Sequence, residues 1–193
     1  MKKFILVIIS AIMLVSLVSC AETSAKNSVE KFFDAYKNMD LSTANEYVEG
    51  TGLLQKSIKQ FEDYDKERID ALKYWGSNIN YKILSTEKSG SEVKVDVKVT
   101  ALNGSQIYDE YMQNVKSLGI SQATLNDNTM DGDAVGGDFD NAFITAIENQ
   151  TNEMVTTNVT VVLKKDNGKW KIQNDKEVLQ AMLGGLNPEV VIS

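Results

Sequence analysis

The chain has 193 residues, of which 27 are acidic and 20 are basic, and it contains no histidine and a single cysteine. This acidic balance argues against binding to nucleic acid and against adsorption on anionic lipid, because both require clustered Lys and Arg side chains. The lack of histidine removes the commonest general base near neutral pH and the commonest ligand of catalytic zinc.

The first twenty residues are organised as an export signal. Lys2 and Lys3 precede an apolar run over residues 4–18, which is too short to span a bilayer comfortably. The run ends in Leu17-Val18-Ser19-Cys20, which resembles the bacterial lipobox, where the cysteine takes a diacylglyceryl group and the peptide is cut before it. We therefore predict a signal peptide over residues 1–19 and lipid attachment at Cys20. The alternative is an unmodified thiol in an ordinary secretory signal.

Lipid attachment predicts a location on the extracytoplasmic face of the cell membrane. Loss of the two lysines with the signal leaves 18 basic against 27 acidic residues, a net charge of about −9, so acyl chains would make the membrane contact. The mature chain then has no cysteine for a disulfide and is stabilised by packing alone. Its roughly 170 residues suffice for one domain with a sizeable core.

Residues 20–26 are small and polar, and they predict a lipidated tether before a single domain over residues 27–193. Asn27 and Glu30 fit the cap and the third position of a first helix. The apolar face of this helix follows the i, i+3, i+4, i+7 pattern and consists of Val29, Phe32, Phe33 and Tyr36.

Two further helices are predicted before the first strand. Asp40 is placed to cap a short second helix that carries Leu41 and Ala44. Apolar residues then recur at helical spacing from Leu54 to Trp75 and predict one helix of about six turns, which Gly76 ends.

The hydrophobic period then changes from helical to two. Valines alternate with polar residues from Val93 to Val99, which predicts a strand paired with residues 80–88 through Ser89-Gly90. A second hairpin is predicted over residues 152–173, where Asn167-Gly168 supplies the positive φ values of a tight turn. A short helix over residues 176–183 closes the chain.

Residues 103–150 join the two hairpins and are longer than a compact fold needs, so they predict a helical insertion. Apolar spacing predicts one helix from Ile107 to Leu118 and another from Phe139 to Ile147. An acidic, glycine-rich loop is predicted between them.

This loop has an imperfect resemblance to a calcium-binding loop. Positions one, three, five, six and twelve of an EF-hand would be Asp127, Thr129, Asp131, Gly132 and Asp138. Thr129 replaces the usual Asp or Asn, and Asp138 replaces the bidentate Glu. A metal-free, solvated acidic loop is therefore the preferred interpretation, and no metal or cofactor is predicted.

The order of elements predicts an α+β fold, with N-terminal helices packed on a curved, cone-like antiparallel sheet and a helical insertion between two hairpins. Residues 29–37, the turn at 40–44 and residues 168–172 resemble bacterial lipoproteins with a nuclear transport factor 2-like (cystatin-like cone) domain of unknown function. The resemblance implies that the inside of the cone is lined by Phe32, Phe33, Tyr36 and Trp170. Plain core packing is the alternative interpretation of these residues.

No catalytic residue is predicted. The chain has no phosphate-binding glycine loop, no Gly-x-Ser-x-Gly elbow and no dinucleotide fingerprint, and its only thiol is assigned to lipid. We expect a non-catalytic module that binds a small molecule or a protein partner. The alternative is a pocket enzyme with Asp or Glu acid–base chemistry, although no pair such as Asp34 and Glu46 can be assigned to a cavity from sequence.

Overall fold

The computed structural model describes residues 2–62, 66–118, 132–149 and 151–192, and side chains from residue 20 onward except those of residues 132–137. These residues form seven α-helices, a 3-10 helix and a four-stranded antiparallel sheet that is not closed. The predicted α+β class, with helices packed on a curved sheet, is confirmed. Within the described part of the chain, no helix is long and apolar enough to cross a membrane.

Helix α1 spans Lys2–Lys37 and carries the predicted apolar face into the core. It runs through Asn27, so the predicted cap at this residue is wrong. Residues 20–26 are also helical rather than a free tether, because Ala25 is fully buried and the Glu22 carboxylate accepts a hydrogen bond from the Lys88 backbone N at 3.2 Å. The reason is that Ala21 and Ala25 continue the apolar stripe toward the N-terminus at a spacing of four.

The second helix, α2 (Leu41–Asn45), begins as predicted. The Asp40 side chain accepts a hydrogen bond from the Thr43 backbone N at 3.1 Å and satisfies one of the free N–H groups of the first turn. The predicted six-turn helix is instead two helices, α3 (Leu53–Glu62) and α4 (Lys66–Ser77). Residues 62–68 are nearly all charged, so no apolar stripe continues from one helix into the other.

Both predicted hairpins are present. The sheet has the order β1 (Asn80–Ser89), β2 (Glu92–Leu102), β3 (Met154–Asp166) and β4 (Lys169–Ile172). Asn167 and Gly168 form the second turn with φ values of 48° and 85°, in the left-handed region that Asn and Gly tolerate.

The insertion contains the two predicted helices, α5 (Gly104–Ser117) and α6 (Gly132–Glu148). Helix α6 begins at Gly132, so the prediction of a loop through Asp138 is wrong. Glycine disfavours a helix by about 1 kcal/mol relative to alanine. This free-energy cost is small compared with the stabilisation from extending a helix that is already packed. The chain ends in α7 (Asp175–Met182) and the 3-10 helix Pro188–Val190.

The two faces of the sheet differ in polarity. Val93, Val95, Val97 and Val99 of β2 are fully buried on the inner face, against which α1 and α7 pack. On the outer face, Asp96 accepts hydrogen bonds of 2.6 Å from the hydroxyls of Ser85 and Thr160 on the neighbouring strands. The sheet therefore has one face in the core and a polar face toward water.

Acid should weaken the sheet through Asp96. The hydrogen bond from Ser85, followed by that from Thr160, lowers the pKa of this carboxyl below its ordinary value of 3.8. The stabilisation is therefore complete above pH 3.8 and disappears as the pH falls through the lower folded-state pKa. In urea unfolding titrations on either side of pH 3.8, we expect Asp96→Asn to lose less stability on acidification than the parent protein. An identical pH dependence in the two proteins would contradict this assignment.

Candidate functional site

A cavity of about 680 Å³ lies between the end of α1, helices α3 to α6 and the segment that follows α7. This volume falls in the range of small-molecule sites in proteins. Both helices of the insertion contribute to its wall, through Ile107 on α5 and Phe143 on α6. The insertion that the sequence predicts is therefore part of the cavity.

Aromatic and methionine side chains make up much of the cavity wall. The aromatic ones are Tyr36, Phe61, Trp75, Tyr108, Tyr111, Phe139 and Phe143. The methionines are Met39, Met112 and Met182. Aromatic rings bury a large apolar area, and the flexible thioether of methionine adapts to irregular shapes, so this wall suits a hydrophobic ligand.

Contacts between the lining residues hold the wall in place. Tyr111 of α5 meets Phe143 of α6 edge to face, with ring centroids 6.1 Å apart. The indole Nε1 of Trp75 donates a hydrogen bond of 3.3 Å to the Met182 carbonyl and joins α4 to the end of α7. These contacts join α5 to α6 and α4 to the end of α7 at the cavity wall.

Two glycines bring the C-terminal segment close to the start of α5. Gly104 lines the cavity, and a Cβ at this position would overlap the carbonyl oxygen of Leu183. Gly184 has a φ of 58°, and a Cβ there would overlap the carbonyl oxygen of Leu102. Only glycine fits this approach of two backbones, which places the C-terminal segment at the cavity wall.

Arg68 and Asp140 are the charged side chains of the wall within the described residues. Arg68, in the first turn of α4, contacts Asp140 Oδ1 of α6 through both Nε and Nη2. The exposed fractions of the two side chains are 34% and 20%, so the pair is partly shielded from water. It links α4 to α6 at the wall of the cavity.

The residues predicted to line the cone divide into two groups. Tyr36 lines the cavity, whereas Phe32, Phe33 and Trp170 do not. Phe32 and Phe33 are fully buried, and Phe33 stacks on Tyr81 of β1 with a centroid separation of 5.0 Å. For these three residues the alternative interpretation, core packing, is the one that the structure bears out.

Asp34 and Glu46 both lie outside the cavity. The Tyr81 hydroxyl donates a hydrogen bond of 2.9 Å to Asp34 Oδ1, and burial together with this carboxylate raises the pKa of Tyr81. Glu46 forms an ion pair of 2.7 Å with Lys169, whose hydrogen bond and charge lower the pKa of the Glu46 carboxyl. The structure does not bring these two carboxylates together.

The predicted calcium ligands are largely outside the described residues, which include neither Asp127, Thr129 nor Asp131. Gly132 and Asp138 both lie in α6, with Asp138 exposed. Among the side chains that the structure describes, no three of the types that bind metals form a cluster.

Cys20 is exposed on α1, far from the cavity along the helix. Tyr36, the first lining residue of this helix, follows Cys20 by sixteen positions. At about 1.5 Å per residue, the two Cα atoms are about 24 Å apart along the helix axis. The predicted anchor and the cavity are therefore at opposite ends of the part of α1 whose side chains the structure describes.

Sequence reasoning did not identify the Arg68–Asp140 pair or most of the cavity wall. The two residues are 72 positions apart in the sequence, and they belong to different helices, so no local sequence motif contains both. The available signal for the cavity was the number of aromatic and methionine residues in the insertion, which is larger than a connection between two hairpins requires.

Comparisons with known proteins gave no match to a family model, to a curated protein or to a solved structure.

Proposed function

We propose that this protein is a lipid-anchored module of the extracytoplasmic membrane face that binds a small hydrophobic molecule and does not catalyse a reaction on it. The observation that carries the proposal is the cavity of about 680 Å³ with its aromatic and methionine wall. When an apolar ligand covers a wall of this composition, binding is favoured by roughly 25 cal/mol per Å² of apolar surface removed from water.

The anchor part of the proposal rests on Leu17-Val18-Ser19-Cys20 and on the exposure of Cys20. Because α1 is packed on the domain from Ala21 onward, acyl chains on Cys20 would hold the domain directly at the bilayer surface. The cavity would then lie at the other end of α1, where a ligand from the aqueous compartment can reach it.

We also propose that the domain is nuclear transport factor 2-like. The motifs at residues 29–37 and 168–172 support this assignment, as do the helices packed on one face of an open antiparallel sheet.

Asp140 is the carboxylate of the described cavity wall, and Arg68 engages its Oδ1. The contact supports binding over general-base chemistry, since Arg68 already occupies a carboxylate oxygen that a general base would need for its substrate.

The cavity can be tested with N-phenyl-1-naphthylamine, an uncharged dye that fluoresces in apolar surroundings. Residues 21–193 are suitable, because every buried hydrophobic side chain of the described residues lies between Ala25 and Ile192. We expect saturable binding to one site. Met112→Trp should weaken it at least about tenfold, since the indole would occupy the cavity.

Met154→Trp is the matched control, because Met154 is 45% exposed on β3 and does not line the cavity. This variant should bind the dye like the parent protein, with both variants checked for an unchanged melting temperature. Equal dye binding by the two variants would place the site elsewhere.

A further inference from the structure

β3 is an interior strand at one end of the sheet and an edge strand at the other. β2 pairs with β3 over residues 154–164, whereas β4 pairs with β3 over residues 163–166 alone. On the side away from β2, residues 156–160 of β3 therefore have no neighbouring strand within the described part of the chain. We call residues 156–160 the open edge.

Hydrogen bonds at Val162 and Thr160 show where the open edge begins. Val162 accepts a bond of 2.9 Å from the Gln173 backbone N, and its own N–H donates to Asn174 Oδ1 at 2.8 Å. The same Asn174 side chain donates through Nδ2 to the Thr160 carbonyl at 2.7 Å. Asn174 therefore replaces a neighbouring strand as far as Thr160, and no further.

The backbone groups beyond this point face the open side. Alternate residues of an antiparallel strand direct both N–H and C=O to the same side, so Asn158 and Thr156 share the direction of Thr160. Among the described residues, no partner is found on that side for the N–H and C=O groups of Thr156 and Asn158 or for the Thr160 N–H. All three residues are exposed, so a further strand can reach these groups.

The open edge has none of the features that protect edge strands from pairing, which are charged side chains, prolines and bulges. β1, the opposite edge of the sheet, has a register shift between Ile83 and Ser85, and Glu22 of α1 accepts a hydrogen bond from the Lys88 backbone N. Residues 156–163 contain no charged residue and no proline, and they pair with β2 without a register shift. The difference indicates that the open edge takes another strand.

The open edge is complementary to itself. A two-fold axis at Asn158, its central residue, pairs Asn158 with Asn158 of a second copy and Thr156 with Thr160. Each Asn158 N–H then donates to the other Asn158 carbonyl, and each Thr160 N–H donates to the carbonyl of Thr156. The paired side chains are uncharged, so this contact avoids the repulsion that the acidic chain would otherwise give between two copies.

We infer that two copies of this chain form a dimer through their open edges, in which the two four-stranded sheets become one continuous antiparallel sheet. The second copy is the occupant because an identical, uncharged edge supplies a partner for each unpaired group of the open edge except the Thr156 N–H. That group lies opposite the Thr160 carbonyl, which Asn174 already engages. The inference concerns a surface outside the cavity and does not depend on ligand binding.

A disulfide across the two-fold axis tests the pairing directly. The Cα atoms of a hydrogen-bonded antiparallel pair are about 5.5 Å apart, which suits a disulfide. Residues 21–193 contain no cysteine, so Asn158→Cys introduces a single thiol. We expect rapid formation of a covalent dimer under mild oxidation. Leu84→Cys is the matched control, because Leu84 is 50% exposed on β1, and it should cross-link only at the rate of random collisions.

Sedimentation equilibrium of residues 21–193 over a range of concentrations measures the dimer without a cross-link. Asn158→Glu should raise its dissociation constant at least about fivefold, because two carboxylates then face each other across the axis. Within one chain the new carboxylate lies opposite Lys98 of β2, so the monomer should keep its melting temperature. Leu84→Glu is the control and should dimerise like the parent protein.

Each outcome decides for or against the dimer. Faster cross-linking of Asn158→Cys than of Leu84→Cys supports the pairing, as does a dimer that Asn158→Glu weakens and Leu84→Glu does not. A dimer that Leu84→Glu weakens instead would belong to β1 and would overturn the inference. A protein that is monomeric at every concentration, with equal cross-linking of the two cysteine variants, also overturns it and leaves the open edge to a strand of another protein.

Discussion

Replacing Trp170 with alanine should destabilise the domain by about 3–5 kcal/mol. Trp170 is only 6% exposed and belongs to the buried core, although β4 that carries it has just four residues. Removal of the indole takes a large apolar area out of the core and leaves a cavity that the neighbouring strand cannot fill by a small shift. Urea unfolding of residues 21–193, monitored by circular dichroism, measures the loss.

Trp170→Phe is the control for this experiment. The Trp170 Nε1 atom is buried and has no hydrogen-bond partner among the described residues, so phenylalanine removes a polar group that contributes no hydrogen bond. We expect this variant to lose clearly less stability than Trp170→Ala, because it keeps an aromatic ring in the core. An unchanged free energy of unfolding in Trp170→Ala would show that the ring does not stabilise the core.

Elements whose local pattern and tertiary environment agree could be predicted from the sequence. The alternation from Val93 to Val99 has the period of a strand with one buried face, and these valines are fully buried in β2. Asn167-Gly168 predicted a tight turn from backbone preference alone, and both residues have positive φ. In these cases a local rule was sufficient.

Predictions failed where tertiary packing decides the outcome. Residues 21–26 are small and polar in composition, yet Ala25 is buried against the domain because alanine is small enough to pack closely there. Glycines in the segment 132–137 disfavour a helix locally, but the segment is helical in continuity with the packed residues of α6. The composition of a segment indicates the conformational entropy that is lost when the segment becomes ordered. It does not indicate what the segment packs against.

The cavity could not be predicted because its residues come from distant parts of the chain. The apolar spacing within each helix predicts only a core residue at each of three cavity-lining positions, Tyr36 at the end of α1, Trp75 of α4 and Tyr111 of α5. Whether such faces fill one another or leave a space depends on helix positions that no local period encodes. The Arg68–Asp140 pair likewise exists only after α4 and α6 have packed.

Replacing Cys20 with serine should abolish lipid attachment when residues 1–193 are expressed in a bacterium. A hydroxyl cannot accept the diacylglyceryl group through a thioether, and without acyl chains the acidic surface has no attraction to anionic lipid. Each buried methylene contributes about 0.8 kcal/mol to membrane binding, so the loss of two or three acyl chains shifts the partition of the mature protein from the membrane to water. We expect an unacylated precursor or a released protein, measured by fractionation and by incorporation of labelled palmitate.

The double variant Cys20→Ser with Ser24→Cys separates the position of the thiol from its presence. Ser24 is exposed one turn after Cys20 on α1, so the double variant keeps an accessible thiol on the same helix. If the lipobox selects Cys20, this variant stays unlabelled, and normal labelling of either variant would contradict the assignment. The described core begins at Ala25, so the released domain should keep the melting temperature of residues 21–193, and loss of labelling then reports the missing anchor rather than a misfolded protein.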